Sequence, residues 1–377
     1  MRDLVEIGMG RTARRAFGLD EVQIVPSRRT RSSGDVSTAW QIDAYRFDIP
    51  LMTHPTDAIV SPATAVAVGE LGGLGVLDAE GLWARHADAE GALERLQQAT
   101  EDPDPTALTR LLQELHAAPI REELIAETIK KITAAGVTAA ARVSPQRAAQ
   151  LTPVLLAAGV EILVVLGTIV SAEHVASGGE PLNLKNFIAD LDVPVVAGGV
   201  HDYRTAMHLM RTGAAGVIVG YGTSVASTTD SVLGIGVPMA TAIVDAAAAR
   251  RDYLDETGGR YVHVIADGGV HVSGDIAKSI ACGADAVMLG APLALAAEAP
   301  GKGLYWSPSA AHPSLPRSKV VPVGFGEEVV DLRTLLFGPS SDADGVINLF
   351  GALRRAMAKT GYSDVKEFQK VGLTVRA

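Results

Sequence analysis

Length, composition and charge limit what this chain can be. It has 377 residues, 47% hydrophobic and 20% charged, which suits a soluble α/β protein with a large core. The formal net charge of −10 argues against a nucleic-acid or anionic-membrane surface, and the single cysteine, Cys282, excludes intrachain disulfides and a cysteine-based zinc site. No apolar run is long enough to cross a membrane, and charged residues follow Met1 closely, so we expect a cytoplasmic protein.

Short apolar runs alternate along the chain with amphipathic helical stretches, a pattern typical of parallel βαβ units. Eight such runs predict an α/β fold in which the strands close into a (β/α)8 TIM barrel. The predicted strands are Ile49–Thr53, Gly73–Leu77, Val137–Ala141, Glu161–Leu166, Val193–Ala197, Gly216–Val219, Tyr261–Ala266 and Asp285–Leu289. Helical spacing predicts helices over Pro62–Leu71, Arg121–Ala135 and Asp202–Thr212.

Two regions fall outside this repeat. Residues 78–118 are charged and helix-prone, with a break at Asp102–Pro105, and we expect a helical insertion after the second strand. Residues 300–377 are punctuated by Pro and Gly and end in an amphipathic helix from about Asn348 to Lys359. Neither region has the pattern of a separate globular domain, so residues 1–377 are predicted to form a single barrel domain.

The ends of the last two predicted strands favour a phosphate site. The seventh strand runs into Asp267, Gly268 and Gly269, a helix is expected near Ser273, and Gly290 ends the eighth strand. Paired glycines at a helix N-terminus free backbone N–H groups for an anion, and barrels of this kind often bind phosphate between these strands. An ionised Asp267 would accept hydrogen bonds from ribose hydroxyls. The alternative is that the glycines only make tight turns.

Several histidines follow predicted strands and could move protons near neutral pH. His54 follows the first strand, His174 the fourth, His201 the fifth and His271 the seventh. In a closed barrel, His54 and His271 would flank the site, so these two are the candidate acid–base residues. Solvated loop positions are the alternative for all of them. The sequence contains no metal-ligand cluster.

Five stretches carry a resemblance to a known family. They are Ile49-Pro-Leu-Met52, Gly72-Gly-Leu-Gly-Val76, Ile265-Ala-Asp-Gly-Gly269, Ser273-Gly-Asp-Ile-Ala-Lys278 and Gly283-Ala-Asp-Ala-Val-Met-Leu-Gly290. In this order they resemble the IMP dehydrogenase and GMP reductase family, and Gly220–Ser227 with the following Gly234–Pro238 resembles its active-site loop. The resemblance covers nearly the whole chain apart from residues 78–118 and 303–338. It is nearest to the branch without CBS domains, and residues 78–118 stand where most IMP dehydrogenases insert them.

The resemblance implies a homotetramer that binds a purine nucleoside monophosphate (IMP, XMP or GMP) at the carboxyl ends of the barrel strands, with NAD(P) as a possible cofactor. The implied nucleotide-binding residues are Asp267, Gly268, Gly269, Gly290, Ala291 and Val225. The implied cofactor-binding residues are Gly198, Gly199, Gly220 and Gly222. Loop carbonyls hold a monovalent cation in many members, and the altered loop weakens the case for that cation here.

The chain departs from the family in its active-site loop. Ser227 stands where the family has the cysteine that attacks the purine ring, and it is followed by Thr228; these two are the remaining catalytic candidates. A thiol supplies thiolate at neutral pH, whereas a hydroxyl needs a matched base, and no base is visibly paired with Ser227 in the sequence.

Further contacts of the family are also missing. Its aspartate that meets the dinucleotide falls on Leu166 or Gly167, and its asparagine falls on Gly199. Its mobile flap with an Arg-Tyr pair has no counterpart between Gly303 and Pro316. These losses suggest an oxidoreductase of purine metabolism with altered chemistry. The alternatives are a catalytically silent nucleotide-binding regulator, or partner of an active paralogue, and a barrel enzyme that uses histidine acid–base chemistry on another phosphorylated substrate.

Overall fold

A parallel eight-stranded sheet forms the centre of the molecule. The structure, a computed structural model, describes residues 4–175, 177, 181–220, 224–324 and 329–376. The barrel strands are β1 (Leu51–Thr53), β2 (Val76–Asp78), β3 (Ala140–Val143), β4 (Ile162–Leu166), β5 (Val195–Val200), β6 (Gly216–Gly220), β7 (His263–Asp267) and β8 (Ala286–Leu289). They lie in the order β1-β8-β7-β6-β5-β4-β3-β2, each parallel to its neighbours.

Leu74 closes this sheet into a barrel. It lies just before β2 and bridges Met52 of β1 in parallel. Its N–H donates to the carbonyl of Leu51 (2.8 Å), and its carbonyl accepts from the N–H of Thr53 (3.0 Å). The predicted (β/α)8 barrel is therefore confirmed.

Three predicted strands end directly before a charged residue that the structure includes in the strand or at its end. Asp78 ends β2, Arg142 lies within β3, and Asp267 ends β7. Asp78 and Arg142 are direct partners in the register of β2 and β3. The charged side chains do not break the strands because they lie at the carboxyl rim, where ion pairs and cavities accept them.

Alternating side chains fill the barrel and cover it. Ile162, Val164 and Leu166 of β4 belong to the interior cluster, whereas Leu163 and Val165 pack outward into the layer of helices. At the amino end a hairpin of Trp40–Ile42 and Tyr45–Phe47 plugs the barrel, with the Trp40 and Phe47 rings stacked 5.2 Å apart. The hairpin therefore closes the amino end of the barrel interior, which leaves the carboxyl rim as the end where the interior is open.

Helices surround the sheet. They are α1 (Pro62–Glu70), α2 (Ala89–Gln98), α3 (Ala107–Ala117), α4 (Glu122–Ala134), α5 (Ala148–Ala158), α6 (Leu184–Ala189), α7 (Tyr203–Met210), α8 (Thr229–Leu233), α9 (Met239–Thr257), α10 (Ser273–Ala281), α11 (Leu332–Phe337), α12 (Leu349–Lys359) and α13 (Val365–Phe368). Short 3-10 helices cover Ser33–Asp35, Leu82–Ala84, Ala99–Glu101, Ala291–Leu295 and Pro308–Ala311. None of the helices in the described part of the chain is long and apolar enough to cross a bilayer.

Local sequence explains where several helices begin. The Ser61 hydroxyl accepts from the N–H of Thr64 (3.0 Å) at the start of α1, with Pro62 at the first helical position. Asp202 and Thr205 form a capping box at α7, with the carboxylate 2.8 Å from the Thr205 nitrogen. Asp202 therefore caps the helix, which begins one residue later than predicted.

Shorter strands lie outside the barrel. Leu4–Gly8 pairs with Arg11–Arg14 in an N-terminal hairpin, Val22–Ile24 pairs with Leu373–Val375, and Leu304–Tyr305 pairs with Val321–Pro322. Residues 78–118 include α2 and α3. The end of α3 contacts the segment after β8, where Gln113 Nε2 donates to the carbonyl of His312 (2.8 Å).

Cys282 is buried where α10 ends, and burial raises the pKa of its thiol to about 11. A thiol with such a pKa is protonated at neutral pH and unreactive. The environment of Cys282 therefore suits a structural role.

Candidate functional site

A small cavity at the carboxyl rim brings several of the predicted site residues together. It is lined by His54, Ser224, Ser227, Asp267, Gly268, Tyr305 and Ser307, and its volume is about 20 Å³. The neighbouring strands β1, β8, β7 and β6 supply this part of the rim. Because a single water needs roughly 10–15 Å³, the cavity has room for about one water molecule.

A buried His–Asp pair forms the floor of this cavity. His54 Nδ1 lies 3.2 Å from Asp267 Oδ1, and the two residues are 4% and 6% exposed. The backbone N–H of His54 donates to the carbonyl of Leu289 (2.7 Å), which fixes the position of the residue after β1. With Nδ1–H donating to the carboxylate, a neutral imidazole has Nε2 as its acceptor nitrogen.

The carboxylate of Asp267 can accept a further hydrogen bond. Its Oδ2 atom is buried and has no hydrogen-bond partner among the described residues. An unpaired buried carboxylate oxygen is costly, so a hydroxyl donor at this position would be favourable. The sequence predicted such a donor, but it did not predict that His54 would hold the other oxygen.

The glycines after β7 adopt backbone conformations that other residues rarely take. Gly268 has φ of 111° and Gly269 has φ of 68°, both in the region that favours glycine. At the next strand, a Cβ on Gly290 would collide with the hydroxyl of Tyr305. The buried Tyr305 ring therefore lies in the space beside Gly290 that the sequence suggested for phosphate.

The N-terminus of α10 is already satisfied within the chain. The N–H of Ser273 donates to the carbonyl of Gly345 (2.8 Å). The N–H groups of His271 and Val272 donate to Asp275 Oδ2 (3.1 and 3.2 Å). An anion between β7 and β8 would therefore depend on the glycine loops rather than on these three N–H groups.

The Ser227 loop is held by the segment that follows β8. Ser227 bridges Ser318 in antiparallel fashion, and the N–H of Thr228 donates to the carbonyl of Arg317 (2.9 Å). The Ser227 hydroxyl lies 3.4 Å from the hydroxyl and from the nitrogen of Thr229, at the outer limit for a hydrogen bond. No local sequence pattern predicts this pairing, because it joins Ser227 to Ser318, far along the chain.

Other predicted site residues lie away from this cavity. The side chain of Val225 is 47% exposed, and His271 is exposed; neither lines the cavity. Ala291 is buried at the start of a 3-10 helix. Gly222 lies outside the described residues.

Gly198 and Gly199 bond to the loop that follows β4. The carbonyl of Gly198 accepts from the N–H of Gly167 (2.9 Å), and the N–H of Gly199 donates to the carbonyl of Gly167 (2.8 Å). A Cβ on Gly198 would lie 2.5 Å from that of Ile218 in β6. A Cβ on Gly220 would collide with the carbonyl of Asp267. Close strand packing thus accounts for two of these glycines.

A second and much larger cleft lies at the ends of β2, β3 and β4. Its volume is about 1020 Å³. Arg142 is 8% exposed, with Nη1 3.1 Å from Asp78 Oδ1 and Nη2 donating to the carbonyl of Leu166 (3.0 Å). Burial raises the pKa of the Asp78 carboxyl, and the charge of Arg142 opposes this rise. This pair was not predicted, because both predicted strands end before the charged residues.

His201 lies near both cavities. Its Nε2 is 3.3 Å from the carbonyl of Thr168, which lines the large cleft. Burial lowers the pKa of His201, while the Thr168 carbonyl and the charges of Asp202 and Asp267 oppose that effect. Its Nε2–H therefore acts as a donor at the rim. No group of three or more His, Cys, Asp or Glu within the described ranges could hold a metal ion.

A closed barrel with polar residues gathered at its carboxyl rim defines a (β/α)8-barrel protein. The family model of the IMP dehydrogenase / GMP reductase domain matches residues 16–311. The chain belongs to this family, and the resemblance seen in the sequence is confirmed.

Some similar proteins match nearly the whole chain, and others match only part of it. An uncharacterized oxidoreductase of Mycobacterium tuberculosis is 66% identical over 374 residues, which covers 99% of this chain and 100% of that protein. The crystal structure of an IMP dehydrogenase/GMP reductase-like protein from Corynebacterium glutamicum has a TM-score of 0.94 and 55% identity, covering 99% of this chain and 98% of that one. The inosine-5'-monophosphate dehydrogenase of Aquifex aeolicus is 34% identical over 235 residues, 59% of this chain and 46% of that enzyme.

Proposed function

We propose that this chain is an IMP dehydrogenase-related protein of purine nucleotide metabolism that binds IMP, XMP or GMP at the cavity of His54, Ser227, Asp267 and Gly268. The observation that carries the proposal is the carboxylate of Asp267, which has one oxygen without a partner in the described structure and is followed by two glycines with positive φ. The free oxygen suits a ribose hydroxyl, and the glycine loop suits a phosphate.

Nucleotide binding requires this cavity to enlarge. A volume of about 20 Å³ is far below the roughly 300 Å³ of a small ligand pocket. Tyr305 and His54 would have to move away from Gly290 and Asp267. If the open form is a minor state, the observed affinity is lower than the intrinsic affinity by the open fraction. We therefore expect weaker binding than a preformed pocket would give.

Calorimetric titration with IMP, XMP and GMP tests this proposal. Asp267→Asn should raise the Kd of the bound nucleotide by about tenfold, because a charge-assisted hydrogen bond to ribose is lost. Asp190→Asn is the matched control, since Asp190 is an exposed carboxylate at the end of α6. No heat with any of the three nucleotides, or equal effects of the two variants, would remove the proposal.

The residues present do not fit NAD(P) as the resemblance implies it. Leu166 and Gly167 offer no carboxylate to a dinucleotide ribose, and the N–H of Gly199 is already bonded to Gly167. We therefore derive no hydride-transfer step. The oxidoreductase names of the relatives still motivate an assay for reduced nicotinamide with IMP plus NAD and with GMP plus NADPH. Turnover by the wild type that is lost in Asp267→Asn would support a redox enzyme of GMP biosynthesis. No turnover by the wild type would favour a silent nucleotide-binding regulator or partner of an active paralogue.

The buried His–Asp pair supports a second candidate function. His54, oriented by Asp267 in the same cavity as Ser227, has the arrangement of a general base. The protein would then act on another phosphorylated substrate by proton transfer. A thermal-shift screen of phosphorylated metabolites separates this candidate from the first, because only the first predicts purine selectivity.

We also propose a cytoplasmic homotetramer. The N-terminal hairpin supports an interface, since Leu4 and Ile7 are each 65% exposed and Met9 is fully exposed. Light scattering on the purified chain tests the assembly; a monomer at micromolar concentration would contradict it.

A further inference from the structure

The large cleft contains more positive charge than its own carboxylates balance. The charged residues that line it are Arg85, Arg142, Arg147, Arg317, Asp78 and Glu80. Four guanidinium groups face two carboxylates, so two positive charges are left over in a chain whose net charge is −10. This local excess opposes the overall charge and needs its own explanation.

Two of the arginines are balanced within the chain. Arg142 Nη1 lies 3.1 Å from Asp78 Oδ1. Arg147 Nε lies 3.5 Å from Glu80 Oε2. These pairs use both carboxylates of the cleft, so the remaining arginines have no carboxylate to themselves.

The other two arginines hydrogen-bond to neutral groups. Arg85 Nε donates to the carbonyl of Glu80 (2.7 Å), and its Nη1 donates to the carbonyl of Ala118. Arg317 Nη2 donates to the hydroxyl of Thr168 (3.3 Å), and its buried Nε has no hydrogen-bond partner among the described residues. A half-buried guanidinium surrounded by dipoles is stabilised by an anion, which guanidinium groups bind in bidentate geometry.

The cleft is also the place where the family resemblance puts a dinucleotide contact through an aspartate. Here the corresponding positions, Leu166 or Gly167, carry no charge, and the guanidinium of Arg142 donates to the carbonyl of Leu166 (3.0 Å). The charge at this rim is therefore opposite to what a ribose-binding carboxylate would supply.

We propose that this cleft binds a small anionic ligand through a carboxylate or phosphate group held by Arg85 and Arg317. This site is distinct from the nucleotide cavity and does not depend on it. Its walls come from separate parts of the chain, with His116 and Ala118 from the end of α3 and Pro308 and Ser309 from the segment after β8. The helical segment 78–118 thus contributes a ligand site.

The ligand would also act on the Ser227 loop. The carbonyl of Arg317 accepts from the N–H of Thr228 (2.9 Å), and the next residue, Ser318, bridges Ser227. An anion that orders Arg317 therefore stabilises the strand-like pairing that holds the loop over the small cavity.

Calorimetry on the full chain tests the proposal with two probes, inorganic phosphate and malonate, at constant ionic strength adjusted with sodium chloride. We expect saturable binding of at least one probe, which tells whether phosphate or carboxylate is preferred. Arg317→Gln and Arg85→Gln should each weaken it by about tenfold. The control Arg354→Gln removes an exposed arginine of α12 and should leave the affinity unchanged.

Two results would overturn the proposal. One is the absence of saturable binding for both probes, and the other is binding that both cleft variants retain. Arg85→Gln keeps the test decisive if Arg317→Gln does not fold. IMP titrated onto Arg317→Gln separates this proposal from the nucleotide site: an unchanged Kd for IMP together with lost anion binding assigns the two ligands to different cavities.

Discussion

The two cavities at the carboxyl rim differ in size, charge and access. The small one has room for about one water molecule and is built around the buried pair of His54 and Asp267. The large one has a volume of about 1020 Å³ and is lined by arginines. Arg317 connects the two regions: its side chain, which lines the large cleft, bonds to Thr168, and its carbonyl accepts from Thr228 of the Ser227 loop. The position that resembles the family's catalytic site is therefore closed, while the neighbouring rim is open to a ligand of different charge.

Breaking the ion pair of the large cleft has the largest expected effect of the changes that test the contrast between the two cavities. Arg142→Leu leaves Asp78 as a buried carboxylate without its guanidinium, and we expect the free energy of unfolding to fall by about 3–5 kcal/mol. Urea denaturation measures the change.

The matched control is the double variant Arg142→Leu/Asp78→Leu, which removes both charges. Replacing a buried pair by apolar residues is often nearly neutral, so the double variant should recover most of the loss. A single variant as stable as the wild type would show that the pair is not buried as described.

The closed state of the small cavity is tested by Gly290→Ala. The added methyl group would collide with the Tyr305 hydroxyl, so we expect a loss of about 1–3 kcal/mol in the free energy of unfolding. In the Tyr305→Phe background, where the colliding oxygen is absent, the same substitution should cost less. Because the ring carbon Cζ, 2.8 Å from the added methyl group, remains in Phe, part of the cost should persist; no loss of stability in Gly290→Ala would place the Tyr305 ring elsewhere.

The chemistry of the small cavity is tested by Ser227→Cys. We expect reduced-nicotinamide formation from IMP and NAD to rise by less than about tenfold, because a nucleophile without positioned cofactor contacts adds little. The absorbance of reduced nicotinamide is the readout, and Ser224→Cys is a control at a neighbouring lining position. Large turnover in Ser227→Cys alone would mean that the missing thiol is the only change that prevents dehydrogenase activity.

The smallest expected effect concerns His201, between the two cavities. Burial lowers the pKa of His201 in the folded protein, so as pH falls below the unfolded value of ~6.5 the unfolded chain takes up protons before the folded one. Its contribution to stability is therefore complete above that pH and is lost as pH falls toward the folded pKa. The free energy of unfolding should drop less between pH 7 and pH 5 in His201→Gln than in the wild type. An identical drop in both would contradict the assigned burial.

Much of the fold could be predicted because buried parallel strands read as short apolar runs. All eight strands were located, and the placement of His54, Ser227 and Asp267 at one rim followed from the common direction of parallel strands. The strand ends were predicted less accurately. Charged residues such as Asp78 and Arg142 are typical of loops, and only the structure shows that they pair across two strands.

Contacts between distant parts of the chain could not be predicted in this way. Tyr305 against Gly290, and Arg317 against the Ser227 loop, depend on how the segment after β8 folds back over the rim. No local pattern encodes that path. The size of the small cavity depends on the same contacts, so sequence reasoning could name its residues without revealing that it is closed.

A crystal structure of the protein soaked with IMP tests the central claim most directly. The account predicts nucleotide density with the ribose against Asp267 and the phosphate beside Gly268, Gly269 and Gly290, with Tyr305 displaced. A small cavity that is unchanged and holds no nucleotide at saturating IMP would contradict the account. Nucleotide bound only in the arginine-lined cleft would contradict it as well.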